Sequence, residues 1–201
     1  MRDEEIRAAH VGELRPHDGP ITLVDHDPAW PQAFRREERM ILETLGHRAL
    51  RVEHCGSTSV PGLAAKPIID IVLAVEDSSD EPAYVPALEA QGYQLWIREP
   101  SWMEHRMLRR VDPSVNLHVF SAGCPEVERM VAFRDHLRAH RDDRERYERT
   151  KRALAARRWR HVQNYADAKT DVVEEIMSRA RGSSAEPPST ATGNPAGTGS
   201  A

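Results

Sequence analysis

Residues with the capacity for chemistry concentrate between positions 52 and 75, where the sequence reads VEHCGSTSVPGLAAKPIIDIVLAV. A turn such as Gly56-Ser57 can direct backbone N–H groups and a hydroxyl at a phosphate. Twelve residues separate that turn from Asp70, which interrupts an apolar, β-branched run typical of a strand buried on both faces. A buried carboxylate without a partner costs several kcal/mol, so Asp70 must be protonated, paired or bound to a cation. The segment therefore predicts a metal or nucleotide site.

Two further residues extend this candidate site. Lys66 stands between the turn and Asp70, where its ammonium can reach a phosphate. His118 falls in a second strand-like segment that we expect beside Asp70. An Asp-His pair would bind Mn²⁺, Fe²⁺ or Zn²⁺ better than Mg²⁺, or would serve as an acid-base pair. The strand predicted at residues 105–111 carries three arginines, Arg106, Arg109 and Arg110. One or two of them could face the site, and the sequence does not determine which.

Each of these residues also has a structural interpretation, and the sequence leaves both open. Asp70 could form an ion pair with Lys66 or an arginine, and His118 could be a hydrogen-bonded core histidine. The hydroxyls of residues 57–59 could simply stabilise the turn. His54 is interpreted as a packing residue or as one that supports the site residues without touching a ligand.

The elements that must position these residues follow from periodicity and turn signals. The predicted strands are residues 21–24, 51–55, 68–75, 105–111 and 115–120, the last two joined by an Asp112-Pro113-Ser114 turn. The predicted helices are residues 30–45, residues 82–91, and three helices after Pro125, one carrying Leu137, one carrying Tyr147 and Trp159, and one carrying Tyr165 and Ile176. The pattern predicts a mixed sheet of four or five strands with helices over it and a helical C-terminal third.

Composition limits what kind of protein the chain can be. Its 201 residues suffice for one domain, and its net charge of −4 argues against bulk binding to nucleic acid. No apolar run is long enough to cross a membrane, and two cysteines give no disulfide framework. We expect a cytoplasmic protein, with an N-terminal segment at residues 1–20, a domain at 21–181 and a disordered tail at 183–201. The sequence does not give the oligomeric state.

A longer pattern surrounds the turn and Asp70. The stretch EHxGSTSVPGLxAKPIIDI, together with NLHV at 116–119, FRDHLR at 133–138, YERTK at 147–151 and YADAK at 165–169, resembles the GrpB family over about residues 24–180. That family is placed in the nucleotidyltransferase superfamily, in which a Gly-Ser turn precedes a strand whose paired carboxylates hold Mg²⁺ on a nucleoside triphosphate. Its members also occur fused behind dephospho-CoA kinase, whereas this sequence has no Walker-A loop.

The resemblance implies a nucleotidyltransferase-like α+β fold, with a sheet part to about residue 122 and a helical lobe at 125–181. It implies that Asp70 and His118 are the catalytic and metal-binding residues, with Mg²⁺ or Mn²⁺ as cofactor and a small-molecule nucleotide as ligand. The implied nucleotide-binding residues are Gly56, Ser57, Thr58, Ser59, Lys66, Lys151 and Lys169.

One position departs from the superfamily pattern. Val72 stands where the second carboxylate belongs, two residues after Asp70 on the same strand face. Phosphoryl transfer with two metals needs clustered anionic ligands, so the sequence leaves open whether the protein is an enzyme. The expected functions are metal-dependent transfer of a nucleotidyl group to a small molecule, nucleotide or CoA binding without turnover, or acid-base catalysis by Asp70 and His118. If the protein carries out metal-dependent transfer, Val72→Asp should raise its affinity for Mg²⁺.

Overall fold

The computed structural model of the protein describes residues 2–14 and 16–183. The predicted disordered tail lies outside these residues, apart from Ser183 at the end of the last helix. Within the described part of the chain, no helix has the length and apolar character needed to cross a membrane.

One mixed sheet organises the described residues. Its strands are β1 (Arg51–Cys55), β2 (Ile69–Val75), β3 (Gln94–Glu99), β4 (His105–Arg110) and β5 (Val115–Ser121), in the order β1-β2-β5-β4-β3. β2 and β5 pair in parallel near the middle of the sheet, and the remaining pairs are antiparallel. These two strands are rich in apolar residues, as burial on both faces requires. The predicted α+β class with a mixed sheet is confirmed.

Helices cover both faces of this sheet. They are α1 (Asp3–Ala9), α2 (Trp30–Leu45), α3 (Val85–Glu89), α4 (Pro125–Ala139), α5 (Arg141–Ala155), α6 (Val162–Asp167) and α7 (Thr170–Ser183). On one face, α2 and α3 pack Ile41 and Leu88 against Ile71 and Leu117 of the central strands. On the other face, α4 to α7 form the helical C-terminal lobe.

Several predicted boundaries were wrong. Residues 21–24 form no strand, because the backbone there makes only an isolated bridge with the loop before β2. Trp159 lies beyond α5 and forms a bridge with the N-terminal part of the chain. The helix predicted at 82–91 shortens to α3, preceded by a 3-10 turn. β3 was not predicted, since it is a half-exposed edge strand with polar residues at both ends.

The N-terminal segment, residues 2–14 and 16–21, crosses the same face as the helical lobe. Near its start, Asp3 forms an ion pair with Arg160 at 2.5 Å. In its middle, His10 forms a backbone bridge with β3, and near its end Gly19 forms another with the residues that follow α5. The segment therefore links the β3 edge of the sheet to the helical lobe.

Val72 lies in the small core where α4 meets the sheet. Its side chain is fully buried among Cys55 of β1, Phe120 of β5 and Val127 of α4. The position that would hold a second carboxylate is therefore an apolar contact between helix and sheet. A carboxylate there would have to lose its hydration without gaining a polar partner.

We predict that Val72→Asp destabilises the protein by at least about 3 kcal/mol, because it buries an unpaired charge in this cluster. This replaces the expectation that the change raises Mg²⁺ affinity. Urea unfolding with and without Mg²⁺ measures the effect, and Val72→Ala serves as a control that loses packing without adding charge. Recovery of wild-type stability by millimolar Mg²⁺ would contradict the prediction.

Candidate functional site

The pairing of β1 with β2 brings the Gly-Ser turn against Asp70. Cys55, at the end of β1, lies opposite Asp70 in the register, so the chain turns directly in front of the carboxylate. Gly56 has a φ of +69°, and a Cβ there would lie 2.3 Å from Asp70 Oδ2. Only glycine combines that dihedral angle with so close an approach. The turn and the carboxylate form a single site.

Asn116 binds the Asp70 carboxylate from the next strand. It is the neighbour of Asp70 in the β2–β5 register, and its Nδ2 donates a hydrogen bond to Oδ1 at 2.9 Å. Burial raises the pKa of Asp70, whereas Lys66, Asn116, Lys169 and Lys151 act to lower it. The carboxylate is thus held in a partly buried position by one amide and by the field of three ammonium groups.

The three lysines come from separate elements. Lys66 lies in the loop before β2, Lys151 in α5, and Lys169 in the turn between α6 and α7. Burial lowers the pKa of each, and repulsion from Lys169 lowers the pKa values of Lys66 and Lys151 further. Asp70 acts in the opposite direction on all three. Among the described residues, none of these lysines forms a direct ion pair with a carboxylate.

Lys151 is the most buried of the three, with 2% of its surface exposed. Its Nζ donates hydrogen bonds to Ser57 Oγ at 3.0 Å and to the Ala64 carbonyl oxygen. The ammonium also lies 5.0 Å from the centroid of the Tyr147 ring, one turn earlier on α5. Burial lowers the pKa of Lys151 to about 7. An ammonium with only neutral acceptors is costly to bury, and a bound anion would relieve that cost.

Lys169 meets Tyr165 in a way that the sequence did not predict. Their spacing of four residues would place them on one face of a continuous helix, but α6 ends at Asp167 and Lys169 lies beyond it. The Lys169 ammonium nevertheless lies 4.8 Å from the centroid of the Tyr165 ring, and the Lys66 ammonium lies 6.0 Å from the same centroid. One aromatic ring therefore contacts two of the lysines, at distances where cation–π attraction is favourable.

Two residues predicted to bind nucleotide point their hydroxyls into the protein instead. Thr58 Oγ1 donates to the Ile68 carbonyl oxygen at 3.1 Å, and Ser59 Oγ donates to the Gly56 carbonyl oxygen at 2.6 Å. Both residues are buried, and in the unliganded protein their hydroxyls stabilise the turn. The packing role predicted for His54 agrees with its position, since its ring contacts Thr58 and burial lowers its pKa to about 4.

His118 shares a sheet face with Asp70, but its imidazole is hydrogen-bonded to His105 of β4, on the side away from β2. It lies beside Val72 in the register, and its Nδ1 is 3.0 Å from Nε2 of His105. His105 Nδ1 is in turn 2.7 Å from a carboxylate oxygen of Glu99. Burial lowers the pKa of His118 to about 3, and His105 contributes to that shift. His118 is thus a neutral imidazole held in place by a hydrogen-bonded chain from the edge strand.

These contacts do not fit a divalent metal ion. Asp70 supplies one carboxylate, Val72 supplies no ligand, and one His118 nitrogen is already paired. Three ammonium groups surround the same carboxylate and would repel a cation. Within the described residues there is no group of three or more His, Cys, Asp or Glu side chains that could hold a metal. A hard cation such as Mg²⁺ requires several oxygen ligands.

A large cavity opens in front of the site. Its volume is about 1320 Å³, and it lies between the sheet, the helical lobe and the N-terminal segment. Gly56, Ser57, Lys66, Asp70 and Lys169 line it, together with apolar side chains. Those apolar residues include Ile6, Trp96, Met107, Met130, Phe133 and Val162. The volume exceeds that of typical small-molecule sites, which are about 300–1,000 Å³.

Of the three arginines of β4, Arg109 is the one that faces the cavity. Arg109 lines it, and its guanidinium lies 5.2 Å from the centroid of the Trp96 ring. Arg106 and Arg110 point to the opposite face of β4, where they bind Glu81 and Glu37. The alternation of side chains along a strand accounts for this division.

Three residues with clear roles were not singled out from the sequence. Asn116 binds Asp70, His105 holds His118, and Arg138 of α4 donates from Nε and Nη2 to the Ser59 carbonyl oxygen at 3.0 and 2.8 Å. Asn116 and Arg138 fall within the NLHV and FRDHLR stretches, but nothing in their residue types indicated these partners. Only the strand register and the helix packing define them.

Comparison with known proteins identifies relatives along most of the chain. A family model described as GrpB protein matches residues 20–179. A UPF0157 protein of Halalkalibacterium halodurans is 58% identical over 178 residues, which are 89% of this chain and 91% of that protein. A dephospho-CoA kinase of Mycolicibacterium paratuberculosis is 30% identical over 187 residues, but the match covers only 46% of that protein.

A solved structure has a similar fold. The crystal structure of conserved protein GrpB from Enterococcus faecalis matches with a TM-score of 0.67 and 29% sequence identity. The match covers 82% of this chain and 100% of that chain. The sheet and the helical lobe described above therefore recur in an experimental structure.

We predict that the free energy of unfolding rises between pH 7 and pH 9 partly because of Lys151. Its pKa is about 7 in the folded protein against a usual value of 10.5, so across this range the unfolded chain binds a proton that the folded chain does not. Stability therefore increases with pH, and Lys151→Met should reduce the increase by roughly 2 kcal/mol. Urea unfolding of both proteins at the two pH values measures this. Identical increases would contradict the assignment.

Proposed function

This chain belongs to the GrpB family, and we propose that it binds the phosphate groups of a nucleotide without a divalent metal and without turnover. The observation that carries the proposal is the group of three ammonium side chains around a single carboxylate at the Gly-Ser turn. A bound phosphate would place negative charge beside Lys66 and Lys169, which line the cavity, and beside Ser57, to which Lys151 donates from behind.

The contacts of these lysines support an anion over a cation as the ligand. Burial lowers the pKa of each, and repulsion from Lys169 lowers those of Lys66 and Lys151 further, so each gains from a nearby negative charge. Ser57 Oγ already accepts a hydrogen bond from Lys151 and can donate its own proton to a phosphate oxygen. The ligand would thus be held by charge-assisted hydrogen bonds, which are stronger than neutral ones.

The cavity supports a nucleotide over inorganic phosphate. Its volume of about 1320 Å³ is far larger than a phosphate group needs, and much of its wall is apolar. Met107, Phe133 and Val162 line it and offer surface for a base. The relative named dephospho-CoA kinase contains a region similar to this chain, which favours a nucleotide-derived ligand among phosphate compounds.

The same geometry makes nucleotidyl transfer with metals the weaker alternative. That reaction needs cations to neutralise charge at the reacting phosphate. The apolar cluster around Val72 and the lysines around Asp70 occupy the places where further anionic ligands would have to stand. Acid-base catalysis by Asp70 and His118 has no observation that favours it over binding.

We predict that Asp70→Asn binds ATP about tenfold more tightly than the wild-type protein in the presence of EDTA. The change removes a negative charge beside the phosphates and leaves the three lysine side chains in place. Calorimetric titration with ATP, in EDTA and in Mg²⁺, measures the effect. Asp80→Asn is the matched control, because this exposed carboxylate does not line the cavity.

A metal-dependent site predicts the opposite change in ATP affinity on Asp70→Asn. In that case the wild-type protein would bind ATP only with Mg²⁺, and Asp70→Asn would lose binding. Lys66→Gln provides a second check, since the proposal expects it to weaken ATP binding with or without Mg²⁺. Absence of ATP binding by the wild-type protein under both conditions would overturn the proposal.

A further inference from the structure

Arg109 lies in the cavity with its hydrogen-bonding capacity unused. Its Nε is buried and has no hydrogen-bond partner, although buried guanidinium nitrogens are normally paired. No carboxylate among the described residues forms an ion pair with it, whereas Arg106 and Arg110 of the same strand both bind glutamates. Its partner is an aromatic ring, that of Trp96, 5.2 Å from the guanidinium.

A β-bulge gives Trp96 its position. In the β3–β4 register, Leu95 pairs with Leu108 and Ile97 with Met107, so Trp96 is the extra residue of the bulge. Both Trp96 and Ile97 consequently line the cavity. Bulges commonly redirect side chains at functional sites. Here the bulge places the indole where it supports the Arg109 guanidinium and leaves the polar edge of that group free.

The strand register fixes the separation between Arg109 and the lysine site. Arg109 lies beside Asn116, which lies beside Asp70, so two strand spacings separate Arg109 from Asp70. That distance is about 10 Å between backbones on one face of the sheet. Arg109 also acts on Lys66, whose pKa it helps to lower. The two cationic groups therefore belong to one cavity, which Arg109 enters from a strand position about 10 Å from that of Asp70.

We infer that Arg109 and Trp96 form a second oxyanion subsite, which binds a phosphate on the ribose of a nucleotide whose 5′-polyphosphate occupies the lysine site. This inference rests on the proposed function. It narrows the ligand class to nucleotides that carry two separate phosphate groups, such as a nucleoside 3′-phosphate 5′-diphosphate.

The chemistry of the guanidinium favours this assignment over a purely structural role. Its planar fork binds a phosphate through two parallel hydrogen bonds, and Nε is one of the donors available for that geometry. Stacking on an aromatic ring leaves those in-plane donors unoccupied. A structural arginine would be expected to use them on protein acceptors, as Arg106 does with Glu81 and the Glu104 carbonyl oxygen.

The test compares two ligands that differ in one phosphate. Adenosine 5′-diphosphate and adenosine 3′-phosphate 5′-diphosphate are titrated calorimetrically into the wild-type protein, Arg109→Gln, Arg109→Lys and Arg48→Gln. The last is the matched control, because Arg48 is exposed and does not line the cavity. Melting temperatures of the variants show that each is folded.

We expect the wild-type protein and Arg48→Gln to prefer the second ligand by about 10- to 100-fold, the value of one charge-assisted contact. Arg109→Gln should abolish that preference while changing the affinity for adenosine 5′-diphosphate less than about twofold. Arg109→Lys should keep part of the preference, because it retains the charge and loses the fork.

Equal affinity of the wild-type protein for both ligands would overturn the subsite and leave the proposed function standing. An equal loss for both ligands in Arg109→Gln would do the same, since it would show a general effect on the cavity. Failure of the wild-type protein to bind either ligand would overturn the proposed function and this inference together.

Discussion

Three lysine ammonium groups act on one carboxylate, that of Asp70. The way in which the chain brings this excess of positive charge together explains most of the site. Lys66, Lys151 and Lys169 come from a loop, a helix and an interhelical turn, and Asp70 lies in the sheet. No single element could place these charges together. The sheet and the helical lobe must therefore pack in one relative position, and Arg138 helps to set it by binding the Ser59 carbonyl oxygen from α4.

The same packing explains why the site departs from metal-dependent chemistry. α4 reaches the sheet through Val127, and the residue that it meets on β2 is Val72. The stability of the helical lobe on the sheet thus depends on an apolar residue at the position where metal chemistry would need a charge. Residue 72 can either pack against the lobe or bind a metal ion. In this chain it is a valine that packs against the lobe.

The sequence predicted four of the five strands, most helices and a site that joins the turn to Asp70, because these features depend on local patterns and one unusual residue. It could not decide among Arg106, Arg109 and Arg110, since the side of a strand that faces a cavity depends on register with its neighbours. It also did not reveal that the Thr58 and Ser59 hydroxyls donate to backbone carbonyl oxygens nearby. Hydroxyl-rich turns look alike in sequence whether they bind a ligand or their own backbone.

The N-terminal segment has a consequence for how fast a ligand exchanges. It lies across the cavity, contributes Ile6, His10, Leu14 and His17 to its wall, and precedes or barely enters the region that the family model matches. It is attached at its start by ion pairs of Asp3 with Arg160 and His161. Further along, backbone hydrogen bonds join it to β3 and to the residues that follow α5. Terminal segments can open locally without unfolding the domain, at a free-energy cost set by such attachments. The residence time of a bound molecule would then depend on the opening of this segment, whereas the charges on the sheet and lobe govern how tightly the molecule is held.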